Sequence, residues 1–354
     1  MSEGGRSEGM LSGYTTSFQA LQRDYPLVEC VRSLRAFCDE VVVADGGSTD
    51  GPWRVLEELA RSDPGIRVFQ DPVDRTRPRW ALALDGGLKA KARARCRGAW
   101  CWQADLDELP AAGAGPKLRA LAAGLDPAVL VVGVPFVEYW GALESVRADI
   151  RPVFPRLSRN LPWLTHGVPL PHRRFDRDGE LHAAPYRSDS CDYVDARTWE
   201  AVPVTPLFPS ALEAWRCAAQ PDAPGAEVAR ALARSRYQFG FNELIEKVPA
   251  VFHVSWLNVE RKLRHYREHW PRFHASLFDE PEDAARSPID GKPWRELSDA
   301  ELERAAARLA AEGPRILHGV QPPGPVIRVG QPPPAILEPW ILRNLEPEPV
   351  TFAC

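Results

Sequence analysis

Paired cysteines, long apolar runs and a strong excess of one charge are all missing from this sequence. Its seven cysteines are odd in number and form no Cys-x-x-Cys pair, which argues against a disulfide scaffold or a thiolate zinc site and favours a reducing cytoplasm. The longest apolar run, residues 128–137, is far shorter than the roughly 18 residues of a membrane span. The N-terminus lacks a basic and an apolar segment, so no secretion signal is expected.

The charge and composition are ordinary for a globular protein. The 354 residues include 44% hydrophobic and 26% charged side chains, and the formal net charge is −4. This balance argues against a disordered or fibrous chain, and against a protein that binds the phosphate backbone of nucleic acids. The length corresponds to one large domain or two fused ones.

Proline is the residue in excess, with 35 copies. Many of them lie near the C-terminus, at 321–325 and 331–335. Because proline has no amide hydrogen and clashes with the preceding helical turn, we expect this tail to be a wrapping or loosely attached extension.

Strand and helix patterns alternate at the start of the chain. Strands are predicted at residues 11–16, 40–44, 66–70 and 99–104, and helices at residues 25–37, 52–60 and 80–95. This alternation predicts a doubly wound, mostly parallel α/β sheet with its ligand site at the carboxyl ends of the strands. A helix near 114–124 and a strand at 128–137 follow, and helices return at 211–220, 225–247, 258–270 and 298–312. We therefore expect a sheet domain at 1–210, and a helical region with a proline-rich tail at 211–354.

Two acidic loops follow predicted strands. Residues 45–51 read DGGSTDG, in which glycines let the backbone approach a ligand and the first Asp can bind a ribose hydroxyl or a base edge. Residues 105–108 read DLDE, and carboxylates two residues apart on an extended segment point the same way, as Mg²⁺ or Mn²⁺ sites require. Taken singly, each loop is equally compatible with a capped glycine turn or a solvated acidic turn.

The order of these loops and strands resembles family 2 glycosyltransferases of the GT-A fold, which are inverting enzymes. Those enzymes typically carry DDGSxDxT after one strand and DxDE roughly 50–60 residues later, and Asp105 follows Asp45 at a similar separation. Gly46 departs from the pattern, because many members have a second Asp there. The resemblance implies a Rossmann-like, mostly parallel sheet flanked by helices, with residues 1–210 as the nucleotide-sugar-binding and catalytic domain.

The resemblance also implies roles for single residues. The nucleotide-sugar site would comprise Thr15, Thr16, Ser17, Asp45, Gly46, Arg77, Arg79 and Asp105. The divalent ion, Mn²⁺ or Mg²⁺, would be held by Asp105, Asp107 and His253, and it would neutralise the leaving diphosphate. An inverting enzyme needs a base for the acceptor hydroxyl; Asp189 is preferred, with Asp192 and Glu138 as rivals.

Three other functions stay open at this level. Residues 265–269 spell HYREH, the H-x-x-E-H pattern of some zinc peptidases, although the segment is rich in Arg and Lys and Pro271 is expected to end its helix. A nucleotidyltransferase of related fold would usually carry a basic glycine-rich loop after the first strand, which residues 14–18 do not provide. A non-catalytic nucleotide-sugar-binding protein would not need the acids at 105–108.

We therefore expect a metal-dependent glycosyltransferase that moves a sugar from a nucleoside-diphosphate donor to a hydroxyl acceptor, with inversion. The acceptor could be a saccharide, a lipid or a small metabolite. No nucleic-acid partner is expected, and a cytoplasmic location, with peripheral membrane contact left open, is predicted.

Overall fold

The computed structural model describes most of the chain in full detail. The described residues are 7–110, 115–143, 145–147, 153–175, 177–179, 181–182, 192–206, 251–278, 281–287, 291–312, 326–328 and 340. The predicted helices at 211–220 and 225–247 and most of the proline-rich tail lie outside this set. None of the described helices is long and apolar enough to cross a membrane.

The four strands predicted in the first third of the chain are all present, although the first begins four residues earlier than predicted and the fourth begins one residue earlier. The strands are β1 Ser7–Ser17, β2 Glu40–Asp45, β3 Ile66–Gln70, β4 Gly98–Gln103, β5 Glu108–Pro110, β6 Val131–Glu138, β7 Ser145–Arg147, β8 Val153–Arg159, β9 Leu164–Gly167, β10 Arg174–Phe175, β11 Leu181–His182, β12 Asp192–Asp195, β13 Val204–Pro206, β14 Val251–His253 and β15 Val326–Arg328.

The helices follow the amphipathic segments. They are α1 Leu27–Phe37, α2 Pro52–Ser62, α3 Trp80–Leu82, α4 Leu88–Ala94, α5 Gly115–Gly124, α6 Val259–Phe278 and α7 Asp299–Glu312. The predicted helix at 80–95 is interrupted by a π-helical turn, Ala83–Gly87, between α3 and α4. Paired glycines at its end lower the helix propensity of this stretch.

Nine described strands form one mixed sheet in the order β3-β2-β1-β4-β8-β6-β14-β5, with β13 beside β6. β1 pairs in parallel with both β2 and β4, and β2 pairs in parallel with β3. β8 runs antiparallel to its neighbours β4 and β6. The prediction of a mostly parallel α/β sheet flanked by helices is therefore confirmed.

The alternation of strand side chains gives the sheet two apolar faces. On one face Val41 and Val43 join the large core that includes α1, α2 and α5. On the other face Val42 and Ala44 pack with α3, α4 and the far end of α6. β2 is buried along its whole length, as expected for a central strand covered on both sides.

β14 shows that the sheet extends beyond residue 210 of the chain. Val251–His253 pairs in parallel with β6 and antiparallel with β5. The division into domains at residue 210 remains a prediction, and any sheet domain must include this later strand.

The expectation that Pro271 ends its helix is wrong. α6 continues through Pro271 to Phe278. The missing amide of proline removes one backbone hydrogen bond. The residues after it are nevertheless packed: Leu277 is buried in the core beneath α3, and the ring centres of Phe273 and Trp80 are 6.0 Å apart. Burial of these side chains offsets the lost bond.

Candidate functional site

The carboxyl ends of the parallel strands meet at one edge of the sheet. Ser17 at the end of β1 lies opposite Asp45 at the end of β2, and Tyr14 of β1 lies opposite Gln103 of β4. Both acidic loops therefore emerge at this edge, as the sequence predicts. The hydroxyl oxygens of Thr15 and Ser17 are buried there and have no hydrogen-bond partner among the described residues. Such hydroxyls are costly unless a ligand or water satisfies them.

The Asp45 carboxylate organises its own loop. It accepts hydrogen bonds from the amides of Gly47 (3.1 Å) and Ser48 (2.9 Å) and from the Ser48 hydroxyl (2.6 Å), and the residue is fully buried. Gly47 has a φ of +86°, which side chains other than glycine rarely adopt. In this arrangement Asp45 shapes the loop, and its contact with a nucleotide stays a prediction.

Gly46 has no room for the second Asp that related sequences carry. A Cβ atom at this position would lie 2.7 Å from a Leu84 methyl and 3.3 Å from the Phe18 ring. Its amide donates to the Ser17 carbonyl at 2.8 Å. The space that a carboxylate would need is therefore filled by an apolar cluster. Packing thus explains why this sequence has glycine where many family members have aspartate.

The turn at 105–108 is held by a buried ion pair. Arg156 of β8 donates from Nε to the Glu108 carboxylate at 2.7 Å and forms a second, shorter bond through Nη2. Glu108 also accepts from the Asp105 amide at 3.1 Å. The turn is tied to β14 as well, because the Val254 amide donates to the Asp107 carbonyl at 2.9 Å. These bonds fix where the two aspartates point.

The negative charge of the Asp105 carboxylate is compensated by cationic side chains, so the carboxylate is not free to bind a metal ion. Lys89 of α4 lies 3.0 Å from Oδ1, and Gln103 donates to the same oxygen at 3.0 Å. Arg156 lies 3.8 Å from Oδ2. Burial raises the pKa of this carboxyl, but the charges of Lys89 and Arg156 outweigh it and lower the pKa. This environment suits a hydrogen-bond acceptor better than a metal ligand.

Asp107 faces His253, which in turn faces Glu138. The Asp107 Oδ2 lies 3.4 Å from His253 Nε2, and Glu138 Oε1 lies 2.9 Å from His253 Nδ1. Glu138 and His253 are register partners on β6 and β14. Burial raises the pKa of Asp107, but His253, Lys262 and Ser255 outweigh it and hold the pKa well below its usual range. Burial lowers the pKa of His253, and the two carboxylates raise it to about 10.

The pair Asp107 and His253 fits one divalent ion. Two donors 3.4 Å apart can share an ion whose ligand distances are about 2 Å. A carboxylate on the far imidazole nitrogen fixes the tautomer and orients the ring, as it does at many metal sites. In the described part of the chain, no group of three or more His, Cys, Asp or Glu is placed to hold a metal. Asp105, the third predicted ligand, pairs with Lys89 at 3.0 Å, and the set of three remains a prediction.

The other predicted residues are placed less centrally. Arg77 is exposed in the loop after β3, whereas Arg79 is buried with a φ of +55° at the start of α3. Thr16 is half-buried at the end of β1. Asp189 lies outside the described residues. Asp192 begins β12 opposite Gly167 of β9, and its role as a base is untested.

The H-x-x-E-H segment lies on α6 but does not assemble a zinc site. The rings of His265 and His269 are 5.0 Å apart. Glu268 is exposed and lies 3.8 Å from Arg267. Burial, with nearby cations, lowers the pKa of both histidines.

Sequence reasoning missed several contributors to the site. The sequence assigns no role to Lys89, Arg156, Ser255 or Lys262, and it assigns Glu138 a role only as a base. Lys89 could have been noticed from its i,i+4 spacing to Asp85, with which it pairs at 2.8 Å. No sequence signal connects Arg156 with Glu108, because strand pairing brings them together.

Comparison with known proteins bears on this arrangement. Residues 22–178 match the family model described as glycosyl transferase family 2. No curated protein matches the chain.

Among solved structures, S. aureus TarS 1–349 is 13% identical, with 90% of this chain and 99% of that chain covered at a TM-score of 0.34. The mannosyltransferase PcManGT from Pyrobaculum calidifontis, in complex with GDP-Man and Mn²⁺, is 14% identical over 85% of this chain and 80% of that one, with a TM-score of 0.32. Glucosyl-3-phosphoglycerate synthase from Mycobacterium tuberculosis is 17% identical over 43% and 57%, with a TM-score of 0.28. All three likenesses are loose.

The family match covers both acidic loops and the strands that present them, which is the part of the chain that carries the sequence resemblance. Residues 22–178 thus match the glycosyl transferase family 2 model, and this match supports a glycosyltransferase.

Proposed function

We propose that the protein transfers a glycosyl group from a nucleoside-diphosphate sugar to a hydroxyl acceptor, with inversion and with help from Mn²⁺ or Mg²⁺. One observation carries this proposal: Asp107 and His253 face each other at 3.4 Å, at the sheet edge where the hydroxyls of Thr15 and Ser17 have no hydrogen-bond partner in the described part of the chain. A divalent ion there would supply Lewis-acid stabilisation of the departing diphosphate. The remaining chemistry falls to the side chains around it.

The cationic residues around the pair can receive the diphosphate. The Lys262 ammonium donates to the Ser255 hydroxyl and acts on the Asp107 carboxylate through its charge. It is thus placed to stabilise negative charge that develops beside Asp107. Asp105 is half-exposed and has Lys89 as its partner, so we assign it to a hydroxyl of the donor ribose.

We assign the base to Asp189 or Asp192. Glu138 is a weaker candidate, because it is only 5% exposed and is fixed to His253, so we give it the role of orienting that imidazole. We also propose residues 1–210 as the main catalytic unit, with β14 completing it. Asp189→Asn and Asp192→Asn variants should separate the candidates: the base variant loses turnover while its donor affinity is kept.

The test is a thermal-shift series with UDP-glucose, GDP-mannose and related donors, with and without Mn²⁺. A donor at 100 times its Kd adds about 2.7 kcal/mol to the stability of the folded state. We expect a metal-dependent rise in Tm with at least one donor, and no rise for Asp107→Asn.

Asp63→Asn is the matched control, because Asp63 precedes β3 at the opposite end of the sheet and pairs with Arg35 at 2.9 Å. This variant should respond to donor as the parent chain does. The anomeric configuration of the product, read by NMR, tests inversion. A metal-independent shift, or a shift kept by Asp107→Asn, would contradict the proposal.

A further inference from the structure

One face of α6 carries a row of basic side chains that leads away from Asp107. The row comprises Lys262, His265, His269 and Arg272. Their spacing of three, four and three residues puts all four on the same side of the helix. From Lys262 to Arg272 the row is about 15 Å long, at about 1.5 Å per residue. Its inner end is Lys262, whose charge acts on the Asp107 carboxylate.

Two arginines from the loops after β1 and β3 lie near the outer end of this row. The guanidinium carbons of Arg23 and Arg75 are each 5.4 Å from the centre of the Phe18 ring. Arg75 is also 5.0 Å from the centre of the Trp80 ring. The ring centre of Trp80 is in turn 6.0 Å from that of Phe273, the residue after Arg272. We call Arg23, Arg75, His269 and Arg272 the outer basic cluster.

The positive charge of this cluster is only partly compensated within the described residues. The Nε atoms of Arg23 and Arg75 are buried and have no hydrogen-bond partner there. Tyr25 and Asp50 are both near enough to act on the charge of Arg23, and Tyr25 is also a hydrogen-bond partner of the Arg23 side chain. Two carboxylates make long ion pairs at the edges of the cluster: Glu282 is 3.9 Å from Arg272, and Glu268 is 3.9 Å from His269. Glu282 is bound more closely by Arg295.

The pKa shifts of the cluster are consistent with the close approach of its cationic side chains. Burial lowers the pKa of His269 to about 4, and Arg23, Arg75 and Arg272 add to the shift. Burial and the other two arginines also lower the pKa of Arg75. The three guanidinium charges of Arg23, Arg75 and Arg272, held together with only partial compensation, raise the free energy of the empty site, and a bound anion relieves that cost.

We propose that the outer basic cluster binds a phosphate group, separate from the diphosphate beside Asp107, that the acceptor carries as a monoester. Guanidinium forks match the oxygens of a phosphate monoester. The site is distinct because His269 lies seven residues beyond Lys262, or about 10 Å along the helix. The assignment to the acceptor rests on the function proposed above.

The experiment is isothermal titration of the full chain with glycerol 3-phosphate and, separately, with inorganic phosphate, in the absence of metal and nucleotide. Loss of a hydrogen bond to a charged group corresponds to roughly a tenfold loss of affinity or more. We expect Arg75→Gln and His269→Gln to weaken glycerol 3-phosphate binding by at least that factor.

Arg264→Gln is the control, because Arg264 is on the same helix but pairs with Glu260 at 2.7 Å and Asp299 at 3.1 Å. It should bind as the parent chain does. Thermal melts of all three variants confirm folding, and His269→Gln serves if Arg75→Gln does not fold. Absence of binding to the parent chain, or an equal loss in Arg264→Gln, overturns the proposal. Equal affinity for inorganic phosphate and the ester overturns the assignment to the acceptor.

A second titration separates this site from the donor site. With UDP and Mn²⁺ at saturation, glycerol 3-phosphate should still bind. Full competition would mean that the cluster belongs to the nucleotide site, and the proposal fails. Asp107→Asn should keep phosphate binding and lose metal-dependent donor binding. If the parent chain binds phosphate but no donor with Mn²⁺, the proposed function fails while the phosphate site stands.

Discussion

The ion pair between Glu108 and Arg156 offers a demanding test of how the site is held. The Glu108 side chain is 3% exposed and the Arg156 side chain is 11% exposed. Glu108 also accepts a hydrogen bond from the Asp105 amide. Arg156→Met would leave a buried carboxylate with no counter-ion. Removing one partner of a buried pair costs about 3–5 kcal/mol, so we expect a loss of that size in the free energy of unfolding.

Urea unfolding followed by tryptophan fluorescence measures this loss. With an m-value of about 3 kcal/mol per molar, the midpoint should fall by roughly 1–1.7 M. Arg159→Met is the control: Arg159 is on the same strand, but it donates to the carbonyls of Val129 and Asp126 and covers Trp100. Its removal leaves no buried carboxylate behind, so the loss should be clearly smaller.

The double variant Arg156→Met with Glu108→Gln completes a cycle. Once the carboxylate is neutral, removing the arginine should cost less, and the coupling free energy between the two sites should exceed about 1 kcal/mol. The reasoning is refuted if Arg156→Met costs no more than Arg159→Met, or if the cycle shows no coupling. Arg156→Met should also weaken metal-dependent donor binding, because the turn that presents Asp105 and Asp107 loses its anchor.

Four further outcomes can be checked. Glu138→Gln should lower Mn²⁺ affinity roughly 10–100-fold, measured by titration, because the imidazole of the facing histidine loses its orienting carboxylate; unchanged affinity would remove Glu138 from the site. Trp340→Ala should cost about 3–5 kcal/mol in urea unfolding, since the indole is 1% exposed; a loss below 1 kcal/mol would contradict its burial. Burial, with nearby arginines, lowers the pKa of His269 from 6.5 to about 4 in the folded chain. The unfolded chain therefore takes up a proton at higher pH than the folded chain does, and the free energy of unfolding falls as the pH drops from 6.5 towards 4, by at most on the order of 3 kcal/mol. A His269→Gln variant should show a weaker dependence of stability on pH, and an identical slope would refute the pKa shift. Gly46→Asp should cost about 1–3 kcal/mol through overpacking against Leu84, seen as a lower Tm, and a neutral substitution would show that the apolar cluster yields freely.

The order of strands and helices at the start of the chain could be predicted because local patterns determine it. Residues 40–44 read EVVVA, and the strand observed is Glu40–Asp45; residues 66–70 are predicted and observed as a strand. Parallel pairing then brings the carboxyl ends to one edge by geometry alone. The two acidic loops were therefore within reach of sequence reasoning.

The residues that contact those loops could not be predicted from local sequence patterns. His253 was proposed only through the family resemblance, and its neighbour Glu138 enters the site because β14 inserts beside β6. That pairing joins residues 115 positions apart, and no local periodicity encodes it. Arg156 reaches Glu108 across 48 positions for the same reason. Long-range strand pairing, rather than side-chain chemistry, limits what the sequence alone reveals.

Trp340, the last described residue, packs between the loop after β1 and the first turn of α6. Its indole nitrogen donates to the Asp24 carbonyl at 3.1 Å, and the Arg261 guanidinium lies 4.7 Å above its ring. Asp24 directly follows Arg23, and Arg261 precedes Lys262. Recombinant fragments that stop after α7 would lack Trp340 and thus leave a cavity in the large core beside Asp24 and Arg261. Anyone trimming the proline-rich segment to improve expression should keep this tryptophan.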